Sequence, residues 1–144
     1  MRQIKQFTIM LLVISMIFIS GCGQEFYKLE RGASSIASIE IVYVSRNDTR
    51  DLQVTTFCAL ERKDWNNFLD DLQRLPCWSY WNDPPQSVRD EAIQIRYKDG
   101  MVELISTYSS GIFTSDYESL DYNWYYFDAE QFLAFWKQYN SEQE

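Results

Sequence analysis

Between Phe7 and Ile19 the chain carries no charged side chain, and this is the only long apolar run in the sequence. Arg2 and Lys5 precede it, and the small residues Ser20 and Gly21 follow. A basic start, a short apolar core and small residues ahead of a cut site make a secretory signal. The alternative is an uncleaved membrane-spanning helix, for which the run is near the lower length limit. Read as a signal, residues 1–21 leave the folding chain. The fold must then be built from Cys22 to Glu144, which is 123 residues and the size of one domain.

The end of the run is more specific. Ile19-Ser20-Gly21-Cys22 resembles the lipobox of bacterial lipoproteins, in which an aliphatic residue, a small residue and Gly or Ala precede Cys. The resemblance implies diacylglycerol transfer to Cys22, cleavage before it, and a mature protein held on the extracytoplasmic face of the cell membrane. A spanning helix has no need of Gly-Cys at its end. Two acyl chains meet the usual requirement for stable anchoring, whereas one binds only marginally.

Charge narrows the partners. Removing Arg2 and Lys5 takes the formal charge from −8 to −10. That balance disfavours nucleic acid, whose phosphates must be neutralised by Lys and Arg. It also repels an anionic membrane, so attachment rests on the lipid rather than on a basic patch.

The chemistry-bearing motifs are few. The chain has no His, which removes the commonest general base and the commonest metal ligand together. No Ser-His-Asp or Cys-His arrangement can exist, and five Gly residues form no phosphate-cradling loop. No catalytic residue, metal site or cofactor is therefore expected. Asp70-Asp71 are adjacent on a helix and point in different directions, as a solvated face does. Asp116, Glu118 and Asp121 bracket a loop, without the regular spacing and Gly of a calcium loop.

Cys58 and Cys77 have 18 residues between them, unlike a metal pair or a CxxC redox motif. In an exported domain they suggest a disulfide joining the second strand to the end of the first helix, which would stabilise by about 3 kcal/mol. Two buried free thiols are the alternative.

Periodicity outlines the domain. Ile39, Ile41 and Tyr43 alternate with Glu40, Val42 and Val44, predicting a strand over Ile36–Val44, with a second over Leu52–Leu60. Trp65, Phe68, Leu69, Leu72 and Leu75 share one helical face within Glu61–Leu75, and Pro76 ends that helix. Asp99-Gly100 reads as a two-residue hairpin turn that pairs Arg96 with Glu103 and Ile95 with Leu104. Strands follow within Gly111–Thr114 and Tyr122–Phe127. Asp128 caps a closing helix, with Gln131 completing a capping box and Phe127 and Phe132 a hydrophobic staple.

The order ββαβββα predicts an α+β fold: an antiparallel sheet of about five strands with two helices packed on one face, in a single domain. Residues 22–35 form the lipidated Cys and a tether, 36–140 the globular domain and 141–144 a tail.

Aromatics carry the functional expectation, since the chain holds 5 Trp, 10 Tyr and 9 Phe. Trp78, Tyr80 and Trp81 lie outside any helix between Pro76 and Pro84-Pro85. Tyr122, Trp124 and Tyr126 share one strand face. These six form a candidate binding surface for an envelope protein, peptide or glycan; the alternative is that they bury as an edge of the core.

The mature chain is similar to small envelope lipoproteins of Gram-positive bacteria, through the Ile39–Tyr43 strand, the Tyr97-Lys98-Asp99-Gly100 turn with Glu103, and the Phe127-Asp128…Phe132 helix start. The resemblance implies architecture and location and carries over no catalytic residue. The architecture is also similar to inhibitor-like binding domains, a likeness of fold alone. A non-enzymatic binding module is the leading expectation. Its alternatives are a structural or accessory subunit of an envelope complex, and a hydrolase built on two facing carboxylates.

Overall fold

A computed structural model describes residues 25–46, 52–79, 89–107, 110–123 and 125–141. Residues 1–24, which include the expected signal segment and Cys22, and residues 142–144 lie outside the described residues. Nine strands and two α-helices are present among the described residues. In chain order these are β1 (Glu25–Phe26), β2 (Ile36–Arg46), β3 (Leu52–Ala59), α1 (Trp65–Arg74), β4 (Pro76–Ser79), β5 (Arg89–Tyr97), β6 (Val102–Ser106), β7 (Ser110–Phe113), β8 (Ser119–Asn123), β9 (Tyr125–Phe127) and α2 (Ala129–Ser141). A single 3₁₀ turn, Ala33–Ser35, leads into β2.

Six strands form an antiparallel sheet in the order β3-β2-β5-β6-β7-β8, and β1-β4-β9 form a smaller antiparallel one. The chain is thus an α+β domain with both helices on one face of the large sheet. The alternation of β2 explains which face. Ile39 and Ile41 meet Ile93, Ile95 and Ile105 from the neighbouring strands, and Phe68 and Leu72 of α1 and Phe132 and Trp136 of α2 close over them. Val42, Ala92, Val102, Leu104 and Phe113 form a second apolar cluster on the opposite face.

Local signals act where expected. The Asp128 side chain accepts a hydrogen bond from the Gln131 N–H at 2.9 Å, and the Phe127 and Phe132 rings lie 5.1 Å apart. Leu75 is extended, with ψ 130°, as a residue before proline must be, and α1 stops at Arg74.

Three expectations need correction. The segment 22–35 is not wholly a tether: Glu25 and Phe26 pair with Cys77 and Pro76, and Tyr27 is buried in the main core. The small sheet was not foreseen: Glu25–Phe26 and Pro76–Ser79 are too short to show a period, and the single strand expected within Tyr122–Phe127 divides between the two sheets.

The third correction concerns the β5–β6 hairpin. Ile95 pairs with Glu103 and Arg96 with Val102, one residue away from the Asp99-Gly100 two-residue register. Gly100 sits at φ 87°, its N–H donates to the Tyr97 carbonyl at 3.0 Å, and the Tyr97 N–H donates to Met101. These are the marks of a three-residue loop, Lys98-Asp99-Gly100, whose glycine takes the left-handed position. A one-residue slip moves every side chain to the other face of the sheet. Glu103 therefore enters the helix-covered core, and the expected Arg96–Glu103 pair does not form.

Candidate functional site

Of the six aromatics expected to form a binding surface, Tyr80, Trp81 and Trp124 lie outside the described residues. Trp78, half-buried on β4, is directly opposite Tyr126 on β9. Tyr122 falls on β8, opposite Gly111, in the other sheet. The description of Tyr122 and Tyr126 is confined to the backbone. The structure thus joins Trp78 with Tyr126 and assigns Tyr122 to a different sheet.

Exposed rings occur elsewhere too. Phe26 is 59% exposed on β1, and Phe57 is half exposed on β3. Phe57 is the extra residue of a bulge, since Ile41 pairs with Cys58 and Val42 with Thr56. The bulge lays the Phe57 ring against Tyr43 at 4.6 Å and Trp136 at 5.6 Å. Strict alternation along β3 could not have shown this.

Cys58 and Cys77 are free thiols, contrary to the expected disulfide. Cys58 points toward the Tyr139 carbonyl, whereas Cys77 donates to the Glu25 carbonyl at 3.2 Å. They belong to different sheets, and each thiol is engaged by its own neighbours. Burial pushes both thiols up, Cys77 to about 11 with help from Glu25.

The polar centre of the molecule is Glu103, which is fully buried. Its two carboxylate oxygens accept hydrogen bonds from the Tyr27 and Tyr97 hydroxyls. The Glu30 backbone N–H adds a third donor, and the Arg31 N–H reaches the Tyr97 hydroxyl. Burial outweighs these donors and raises the Glu103 pKa above the usual carboxylate range. Burial, followed by the nearby Glu103 charge, pushes the Tyr97 hydroxyl well up.

Chemically this is a clasp: it fastens residues 27–31 to the β5–β6 hairpin. Outer contacts reinforce it. Arg31 pairs with Asp99 at 3.6 Å, and the Lys98 ammonium and N–H donate to the Ser34 and Ser35 carbonyls.

The opposite sheet face carries a second network. Buried Gln94 donates to Glu40 at 2.7 Å and accepts from the Tyr117 hydroxyl at 2.6 Å. Arg96 links the same groups, lying 3.6 Å from Glu40 and donating to Tyr117 at 2.9 Å. Tyr117 holds a left-handed φ of 62° in the β7–β8 turn. Asp116 and Glu118 flank it and are exposed, and Asp121 is described only through its backbone. Among the described residues, no group of three or more Cys, Asp or Glu is placed to hold a metal ion.

Among the described residues, two grooves open on the helix side. The larger, about 620 Å³, runs along residues 26–33 and is closed by Asp70, Gln73 and Arg74 of α1. The smaller, about 370 Å³, separates α1 from α2. Its carboxylates, Asp64, Asp70 and Asp71, all belong to α1 or its N-cap, with Gln138 and Tyr139 across from them. Asp71 accepts from the Tyr139 hydroxyl at 2.7 Å. Carboxylates on one wall do not make the facing pair that glycoside hydrolysis uses.

Comparison with protein-family models, curated proteins and solved structures gives no match for this chain, so its functional reading rests on its own residues.

Proposed function

We propose that the chain is a lipoprotein anchored through Cys22 on the extracytoplasmic face of the cell membrane, and that its domain is a non-enzymatic binding module. The observation that carries this reading is Ile19-Ser20-Gly21-Cys22, placed directly after an uncharged apolar run with Arg2 and Lys5 before it. The binding role is supported by Trp78 and Tyr126, which occupy facing ladder positions on the small sheet. Trp and Tyr are the residues most enriched at binding hot spots. The ligand class is an envelope protein, peptide or glycan.

Metabolic labelling with a fatty-acid probe tests the anchor. The parent should incorporate label and the Cys22→Ala variant should not. Equal labelling of the two would sink the lipoprotein reading. For the binding role, Ala substitutions at Trp78, Trp81 and Tyr126 should be compared by thermal melting and by capture of isolated cell-wall glycan and envelope extract. Loss of capture with the melt preserved supports the module; loss of stability alone in every variant assigns these rings to the core.

A further inference from the structure

Taking the lipid anchor at Cys22 as its basis, we propose that the β1 end of the domain rests on the bilayer surface, with Phe26 seated among the lipid headgroups. Only Gly23 and Gln24 separate Cys22 from Glu25, the first residue of β1. Four residues of fully extended chain span at most about 14 Å, so Phe26 cannot lie farther than that from an acylated Cys22. This is comparable with the depth of about 5–10 Å at which interfacial apolar groups settle into the headgroup region.

The leash is short, and its far end is rigidly held. Glu25 and Phe26 are paired with Cys77 and Pro76, and Tyr27 is bonded to buried Glu103. An anchor attached so close to a paired strand keeps this end of the domain near the bilayer, because the reach from Cys22 is so short.

The side chains at this end suit such a surface. Phe26 is 59% exposed, the largest exposure among the big apolar residues described. Lys28, Arg31 and Arg74 border the adjoining groove and offset Glu25, Glu30 and Asp70. The mature chain is strongly acidic, so a charge-balanced face is the one that meets anionic phosphates with least repulsion. An exposed aromatic ring with basic side chains nearby is a makeup that interfacial contacts use.

Position-specific photocrosslinking on the full lipidated chain tests this. A benzophenone amino acid would replace Phe26 in one variant and Leu120 in another. Leu120 is similarly exposed, at 55%, but lies on β8 of the other sheet. Each variant is reconstituted in vesicles of phosphatidylglycerol and phosphatidylethanolamine, irradiated and examined by mass spectrometry for phospholipid adducts. Fatty-acid labelling of Cys22 is read in the same samples. Several-fold more adduct at position 26 than at 120 is the expected result. Equal or lower adduct at position 26 in a chain that is labelled at Cys22 overturns the orientation and leaves the anchor standing. A chain unlabelled at Cys22 overturns both.

Discussion

Ile95 and Glu103 face each other across the β5–β6 ladder, on the side of the sheet that both helices cover. An ionisable group beside an isoleucine in a dry core has its neutral form favoured, and burial raises the Glu103 pKa accordingly. The tyrosine donors keep the site hydrogen-bonded in either state, which is why the carboxyl is tolerated there.

The first prediction follows from that shift. In the unfolded chain Glu103 titrates near the ordinary value of 4.5, and in the folded protein above it. Between those two points the folded state binds more protons than the unfolded one, so stability falls as pH rises through the window. The contribution is fully present below the unfolded value. Glu103→Gln does not ionise, so its melting temperature should lack this decline. Thermal melts of both proteins from about pH 4 to pH 8 would show the gap between them change steadily. A gap independent of pH would mean that Glu103 does not titrate differently on folding.

A second prediction concerns the hairpin loop. Gly100 has φ 87°, and an added Cβ would meet nothing within 4 Å. The cost of substitution is therefore backbone strain without a clash. Gly100→Val should lose about 1–3 kcal/mol, because a β-branched residue resists positive φ. Gly100→Asn should lose clearly less, since Asn enters the left-handed region more readily. Urea melts of the two variants would decide it, and equal losses would point to something other than φ.

The third prediction concerns the thiols. Cys77 is fully buried with its pKa pushed up to about 11, and Cys58 is half-buried. The thiolate is the species that reacts, so native alkylation near neutral pH should be slow at Cys77 and faster at Cys58. Peptide mapping without reduction should recover both as separate thiols. Recovery of a Cys58–Cys77 linked peptide from the native envelope would refute the free-thiol state.

These predictions separate what neighbouring residues settle from what distant ones settle. The apolar stripe from Trp65 to Leu72, the stop at Pro76, the alternation of Ile39, Ile41 and Tyr43, and the Asp128 cap with its Phe127–Phe132 contact are all written within a few residues of one another. Their causes are helix pitch, strand pleat and capping geometry, which act over that same short range. For that reason the α+β class, with both helices on one face of the sheet, was legible directly. So was the candidate anchor, a linear pattern around Cys22 that needs no fold to be read.

Tertiary structure alone decided the rest. Glu25–Phe26 and Pro76–Ser79 become strands only because distant segments bring them together, neither having the length to declare itself, and the one strand expected within Tyr122–Phe127 divides between the two sheets. The bulge at Phe57 and the three-residue loop ending at Gly100 each shift a ladder by one position, and the sheet's two-residue period turns that shift into a change of face. Glu103 thereby moves from an expected surface pair with Arg96 into the core, where Tyr27 and Tyr97 meet it. A register is the joint choice of two strands and the loop between them, settled by which side chains the whole fold can bury.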